Sequence, residues 1–336
     1  MNAPTTTTAI ASLRPGPVDT ADSFVEVEVP IGDIRPHDLL VEVRAVSVNP
    51  VDHKVRSSFD AAESPKILGF DAAGTVVAVG DSVTRFSVGD EVFYAGVINR
   101  SGSNATHQLV DEHIVAAKPT SLSFGDAAAL PLTGITAWET LFERLRLTAD
   151  SDGVLLVVGG AGGVGSMIIQ LARALTEVTV IATASRPESS QLAEELGAHH
   201  IVDPKELGTA VPALAPDGVD HIFSPYSAGN VETYAEILGV GGAVVAIDEP
   251  EGLDLLPLKS KSQTWHWELM FSRPLYTPTD DSQHRLLTEI ARLVDAGTIR
   301  STATTTLSPI SVDTLREAHT RSESGTVVGK IVIVAE

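Results

Sequence analysis

The chain has 336 residues, 44 acidic against 23 basic side chains, a formal net charge of −21 and no cysteine. That length exceeds one typical core and fits about two domains. The charge disfavours nucleic acid and anionic membrane as partners. The absent cysteine removes disulfides, thiolate zinc sites and a cysteine nucleophile.

The opening MNAPTTTTAIAS has no basic stretch followed by an apolar run, so it reads as a tail, frayed over Thr5–Thr8, and not as a signal peptide. No apolar run approaches the length of a membrane span, and the expectation is a cytoplasmic chain. Residues 24–118 read as short strands and turns. LLVEVRAVSVNP alternates and stops at a proline, and Gly-Asp pairs at 80–81 and 89–90 punctuate Val-rich runs. Such regular short strands predict a compact β-rich domain.

From about residue 125 the texture changes. Strand-like runs at 154–158, 178–183, 220–223 and 243–247 alternate with helical patterns at 164–175, 188–196 and 229–238. This alternation predicts βαβ units, hence an α/β, Rossmann-type doubly wound parallel sheet. Between the first strand and helix, Gly160, Gly162 and Gly165 fit G-x-G-x-x-G. In that pattern the first glycine permits a tight turn, the second lets backbone approach a pyrophosphate, and the third lets helix pack on strand. A structural glycine turn without ligand is the plain alternative; the strand before and the helix after favour dinucleotide binding.

After the strand VTVIAT, Ser185 and Arg186 stand where a site preferring NAD carries an acid, and Glu188 lies further into the loop. A guanidinium grips a 2′-phosphate that a carboxylate repels, so the pair predicts NADPH. The plain alternative is a solvated arginine before a helix that starts at Pro187. Ile247, at the end of the last of these strand runs, and Lys330, in the closing strand, are further candidate cofactor contacts. In SQTWHWELMFSRP, Trp265 and Trp267 alternate, which fits an aromatic wall or, better, an edge strand at a homodimer interface. LLTEIARLVDAG reads as a helix stopped at Gly297, and GTVVGKIVIVAE as a last strand that needs the N-terminal sheet. The expected organisation is a β-rich domain of 1–124 with 298–336 around a nucleotide-binding domain of 125–297.

VSVNPVDHKVR, ILGFDAAGTVVAVGDSVTRFSVGDEV, AALPLTGITAWETL, VVGGAGGVGSMIIQLA and GTVVGKIVIV resemble, in this order, the medium-chain dehydrogenase/reductase superfamily. Within it they resemble the zinc-independent quinone oxidoreductase (zeta-crystallin-like) branch, often labelled zinc-type alcohol dehydrogenase-like. The resemblance implies a GroES-like first domain. It places Asn49 and Thr136 at the nicotinamide end of the cofactor, and Gly162, Gly163 and Val164 at its pyrophosphate. The positions of the catalytic zinc ligands of alcohol dehydrogenases hold Asn49, Phe70 and about Leu132, none a good zinc ligand. His53, His199 and His200 remain conceivable ligands without an acidic frame. Where the branch often has a tyrosine after N-P-x-D, this chain has Lys54.

These readings together predict NADPH-dependent, zinc-independent hydride transfer to a quinone or α,β-unsaturated carbonyl. Asn49 is the candidate donor to the developing oxyanion and Asp52 a candidate orienting group. The alternatives are reduction of an aldehyde or an enoyl thioester, and a non-catalytic NADPH-binding protein.

Overall fold

A computed structural model describes residues 4–336; the first three residues of MNAPTTTTAIAS lie outside the described residues. The chain divides into two compact units, one running to Leu132 and resuming at Phe271–Glu336, the other formed by Thr133–Met270. The second unit is therefore shorter at both ends than 125–297. The helix Ser282–Asp295 is the longest element that changes side. Its Asp295 carboxylate accepts the backbone N–H of Thr120 at 3.0 Å and of Ser121 at 2.9 Å, and both hydroxyls. His284 Nδ1 lies 2.6 Å from the Val115 carbonyl. Periodicity gives this helix an apolar face but does not say which sheet that face covers.

In the first unit, Thr6–Ser12 is a strand, antiparallel to both Val25–Pro30 and Lys66–Ile67. The threonine run is thus no frayed tail. β-Branched residues suit the pleat, and Ala9, Ile10 and Ala11 carry the strand into the core. The larger sheet orders Ala303–Leu307, Lys330–Val334, Asp38–Val48, Asp71–Val79, Glu91–Ala95 and Val115–Ala117, with His107–Asp111 also on Asp38–Val48. The closing strand is antiparallel to Asp38–Val48, with Ile331 opposite Val48. At its far end the buried Asp38 is held by both guanidinium nitrogens of Arg100 at 2.8 Å, a fork-to-carboxylate geometry that compensates the buried charge.

The second unit is one six-stranded sheet in which every pair is parallel. Its order is His200–Val202, Thr179–Thr183, Val154–Val157, Val219–Ser224, Leu238–Ala246, Thr264–Trp267. In chain order this is 3-2-1-4-5-6, the doubly wound arrangement, with its switch point beside Val154–Val157. The short strand His200–Val202 and the helix Leu207–Leu214 lack an extended periodic run and are not read from sequence. No helix among the described residues is long and apolar enough to cross a membrane.

Behind the large sheet, helices Pro50–Ser58 and Val312–Glu323 enclose a charged cluster. Arg56, 2% exposed, pairs with Glu323 and lies over the Phe24 ring at 5.7 Å, as Arg316 does at 5.5 Å. His319 is fully buried, edge-on to Phe24 at 4.8 Å. Burial first, then the charges of Arg56 and His53, push its imidazole down to about 3. The folded pKa lies below the unfolded one, so His319 removes stability as pH falls through its ordinary range. Between pH 7 and pH 5 the native chain should lose about 2 kcal/mol more than a His319→Leu variant. Urea titrations at the two pH values check this; equal losses would contradict it.

Candidate functional site

In the second unit the candidate turn follows the strand Val154–Val157 and enters the helix Gly163–Leu175. Its glycines divide the work differently from the expected pattern. The positive φ of the turn, 72°, belongs to Gly159 and not to Gly160. A Cβ on Gly160 would stand 2.7 Å from the Ala182 Cβ, so this glycine lets the turn lie against the next strand. A Cβ on Gly165 would stand 2.3 Å from the Gly159 carbonyl oxygen, the close helix-to-strand packing expected of the third glycine. On Gly162 a Cβ would meet only the Gly159 oxygen, at 3.3 Å. That contact is tight but far looser than those at Gly160 and Gly165, and no other atom lies within 4 Å.

Gly162 is also the helix N-cap and supplies no side-chain cap, so the first-turn N–H groups and the positive dipole end suit an anion. The turn is pinned to the next strand: Gly159 N–H donates to Thr183 Oγ1 at 2.8 Å and Gly160 N–H to the Thr183 carbonyl at 3.1 Å. The Gly160 and Gly162 N–H groups are taken by the Thr183 and Gly159 carbonyls, so what fits a dinucleotide pyrophosphate is the first helical turn from Gly163 and Val164, with Gly160 and Gly162 as the side-chain-free turn beneath it. Beyond Thr183, Ser185 is exposed and Arg186 half-buried. Arg186 caps the helix Pro187–Glu195 by backbone only, and its Nη2 donates to Ser189 Oγ at a long 3.4 Å. Ile247 follows Leu238–Ala246, its N–H on the Ser224 carbonyl at 3.1 Å, which sets it at a carboxyl end of the sheet. Thr136 is buried in the helix Pro131–Trp138.

The first unit holds a second group of candidates. Asn49 caps the helix Pro50–Ser58, with its N–H on Asp52 Oδ2 at 2.8 Å, while Asp52 N–H returns to the Asn49 carbonyl at 3.0 Å. Asp52 Oδ1 also accepts the Gly69 N–H at 3.0 Å. Burial pushes the Asp52 carboxyl up to about 7 against these donors. Asp71, which sequence reading passed over, gathers the rest. Its Oδ2 accepts Ser47 Oγ at 2.7 Å and Asn49 Nδ2 at 2.8 Å, and its Oδ1 the Leu132 N–H at 2.7 Å. Lys330 completes the cluster: its Nζ donates to the Val48 carbonyl at 3.0 Å, to Asp71 Oδ2 at 3.3 Å and to Asn49 Oδ1. An ammonium has three protons, and these three oxygens occupy them. Lys330, a candidate cofactor contact in the sequence, thus meets Asn49 and Asp71. Only the Asp in GFDAAG, inside an otherwise apolar run, hinted at such a centre.

A catalytic zinc does not fit these residues. The Asn49 amide is engaged with Lys330 and Asp71, Phe70 packs edge-on to Phe271 at 5.2 Å, and Leu132 offers only backbone. His199 Nδ1 accepts the Val180 N–H at 2.8 Å. Among the described residues no group of three or more His, Asp or Glu is placed to hold a metal. Lys54 is exposed on its helix. Thr264–Trp267 is the sheet's edge strand, where Trp265 and Trp267 pack edge-to-face at 5.8 Å and Trp267 is half exposed.

Residues 35–129 match the family of the alcohol dehydrogenase GroES-like domain and residues 163–265 that of zinc-binding dehydrogenases. A zinc-type alcohol dehydrogenase-like protein of Staphylococcus aureus (strain MSSA476) is 42% identical over 306 residues, covering 88% of this chain and 90% of the relative. A 2-methylene-furan-3-one reductase of Solanum lycopersicum is 32% identical over 321 residues, covering 92% of this chain and 74% of the relative. The crystal structure of a proposed zinc-dependent alcohol dehydrogenase from Rhizobium etli CFN 42 is 46% identical, with a TM-score of 0.94 over 98% of both chains.

The glycine geometry separates two variants. Gly165→Ala drives a methyl into the turn's backbone and should cost about 1–3 kcal/mol or more in stability. Gly162→Ala should melt like the native protein yet bind a nicotinamide dinucleotide about tenfold or more weakly, because the methyl fills the approach. Thermal melts and a fluorescence titration of reduced cofactor distinguish them; unchanged binding by Gly162→Ala would contradict the assignment.

Proposed function

This chain belongs to the medium-chain dehydrogenase/reductase superfamily, and from that premise we propose that it is an NADPH-dependent, zinc-independent reductase of quinones or α,β-unsaturated carbonyls. Its membership makes it an oxidoreductase of a family that uses a nicotinamide cofactor. The observation that carries the finer reading is the donor set at Asn49, Phe70 and Leu132, an engaged amide between two apolar side chains. A substrate reduced there has no protein-bound Lewis acid to polarise it, so it must spread the arriving charge over its own conjugated system. The tomato relative's name, a reductase of a methylene-furanone, supports that class.

Bound NADPH supplies the hydride, and water the balancing proton. The chain's residues hold and orient. Gly160, Gly162, Gly163 and Val164 present backbone to the pyrophosphate, Ile247 and Thr136 flank the bound cofactor, and Arg186 with Ser185 meets the 2′-phosphate. Asn49 offers an amide N–H to the oxygen on which charge develops, and Asp52 fixes the Asn49 backbone.

Arg186→Ala should weaken NADPH by about ten- to a hundredfold, the loss of a charge-assisted pair of roughly 1.5–3 kcal/mol, and leave NADH nearly unchanged. Ser185→Asp should go further against NADPH and favour NADH. Equal weakening of both cofactors by Arg186→Ala would make that arginine structural and remove the main support for NADPH. The readout is a direct titration of each cofactor, since a contact remote from hydride transfer acts through affinity.

A further inference from the structure

We propose that Lys330 is a positioning residue for Asn49, its buried ammonium fixing, with the Asp71 carboxylate, which way the Asn49 amide faces. The inference rests on the proposed role of Asn49 as donor to the substrate oxygen. The three positions compared with zinc ligands all border one carboxylate. Asn49 and Leu132 donate to Asp71, and Phe70 precedes it in the chain. The positive charge beside that carboxylate is Lys330, 4% exposed, with Nζ 3.3 Å from Asp71 Oδ2.

The arrangement decides which way the Asn49 amide faces. Its oxygen must turn to the ammonium, which only donates, and its NH2 to the carboxylate, which only accepts. A flipped amide would set donor against donor and acceptor against acceptor. Lys330 and Asp71 therefore fix the amide from opposite sides. One amide proton goes to Asp71, and on the proposed role of Asn49 the other goes to the substrate oxygen. The ammonium also draws electron density through Oδ1, which strengthens the N–H as a donor. Ser47 Oγ and the Leu132 N–H hold Asp71 in turn.

The test combines Lys330→Met with Asn49→Ala, alone and together, read by kcat with a quinone and an enone and by cofactor affinity. Lys330→Met should lower kcat about tenfold or more while leaving NADPH affinity within about twofold. In the Asn49→Ala background the same change should cost at most about twofold. Equal losses in both backgrounds would overturn the proposal, as would a Lys330→Met variant that keeps kcat and loses cofactor affinity. Because Lys330→Met leaves Asp71 buried without its cation, Asp71→Asn/Lys330→Met serves where the single variant does not fold. It should show the same loss of kcat, and native kcat would overturn the proposal. Absence of any turnover by the native chain would remove the reductase reading. The cofactor-loaded protein titrated with 4-nitrophenolate then decides the role of Lys330. Binding about tenfold tighter in the native chain than in Lys330→Met supports it, and equal binding overturns it.

Discussion

The first unit is organised around one buried carboxylate. Asp71 ties together the end of Asp38–Val48 through Ser47 and Asn49, the backbone at Leu132, and the closing strand through Lys330. Its own carbonyl accepts Ser103 Oγ at 2.9 Å, adding a further loop. A charge at zero exposure is tolerated only when paired and hydrogen-bonded, and removing one partner of such a pair costs about 3–5 kcal/mol. The segments that meet there are consequently fixed with respect to one another. Asn49 is held by this centre: its amide oxygen accepts from the Lys330 ammonium and its amide nitrogen donates to the Asp71 carboxylate, two roles that the one side chain fills while it caps the helix.

The second unit depends on close approach instead of charge. Gly160 and Gly165 have no room for a Cβ, so the turn, the following helix and the next strand lie closer than any side chain allows. The helix that follows begins at Gly162 with no side-chain cap on its N-terminus. At Gly162 a Cβ would meet one backbone oxygen, at 3.3 Å, and nothing else within 4 Å.

Much of this was legible in the sequence because the demands are local. The glycine spacing, the apolar strand before it and the helical period after it lie within about twenty residues. The departure from an acid at Ser185 and Arg186 can be read by counting along one loop. What stayed hidden depends on distance or on an individual dihedral. Lys330 meets Asn49 across 281 positions, so no window around either residue reveals the other. The positive φ at Gly159 cannot be assigned among neighbouring glycines that all permit it. Arg56 packs over Phe24 and pairs with Glu323 from a helix more than 250 residues further on, a meeting that no local window shows. The helix Ser282–Asp295 shows its apolar face in sequence, but the Asp295 carboxylate that commits it to the first unit finds Thr120 and Ser121 some 175 residues away.

The central claim is hydride delivery from NADPH to a conjugated acceptor without a metal. Initial rates with a quinone, an enone, a saturated aldehyde and an enoyl thioester, each with NADPH and with NADH after prolonged dialysis against a chelator, test it most directly. The account predicts turnover of the quinone or the enone with NADPH, far slower rates with NADH, little rate with the saturated aldehyde, and no gain on adding zinc. Turnover confined to the aldehyde and restored only by zinc would contradict it.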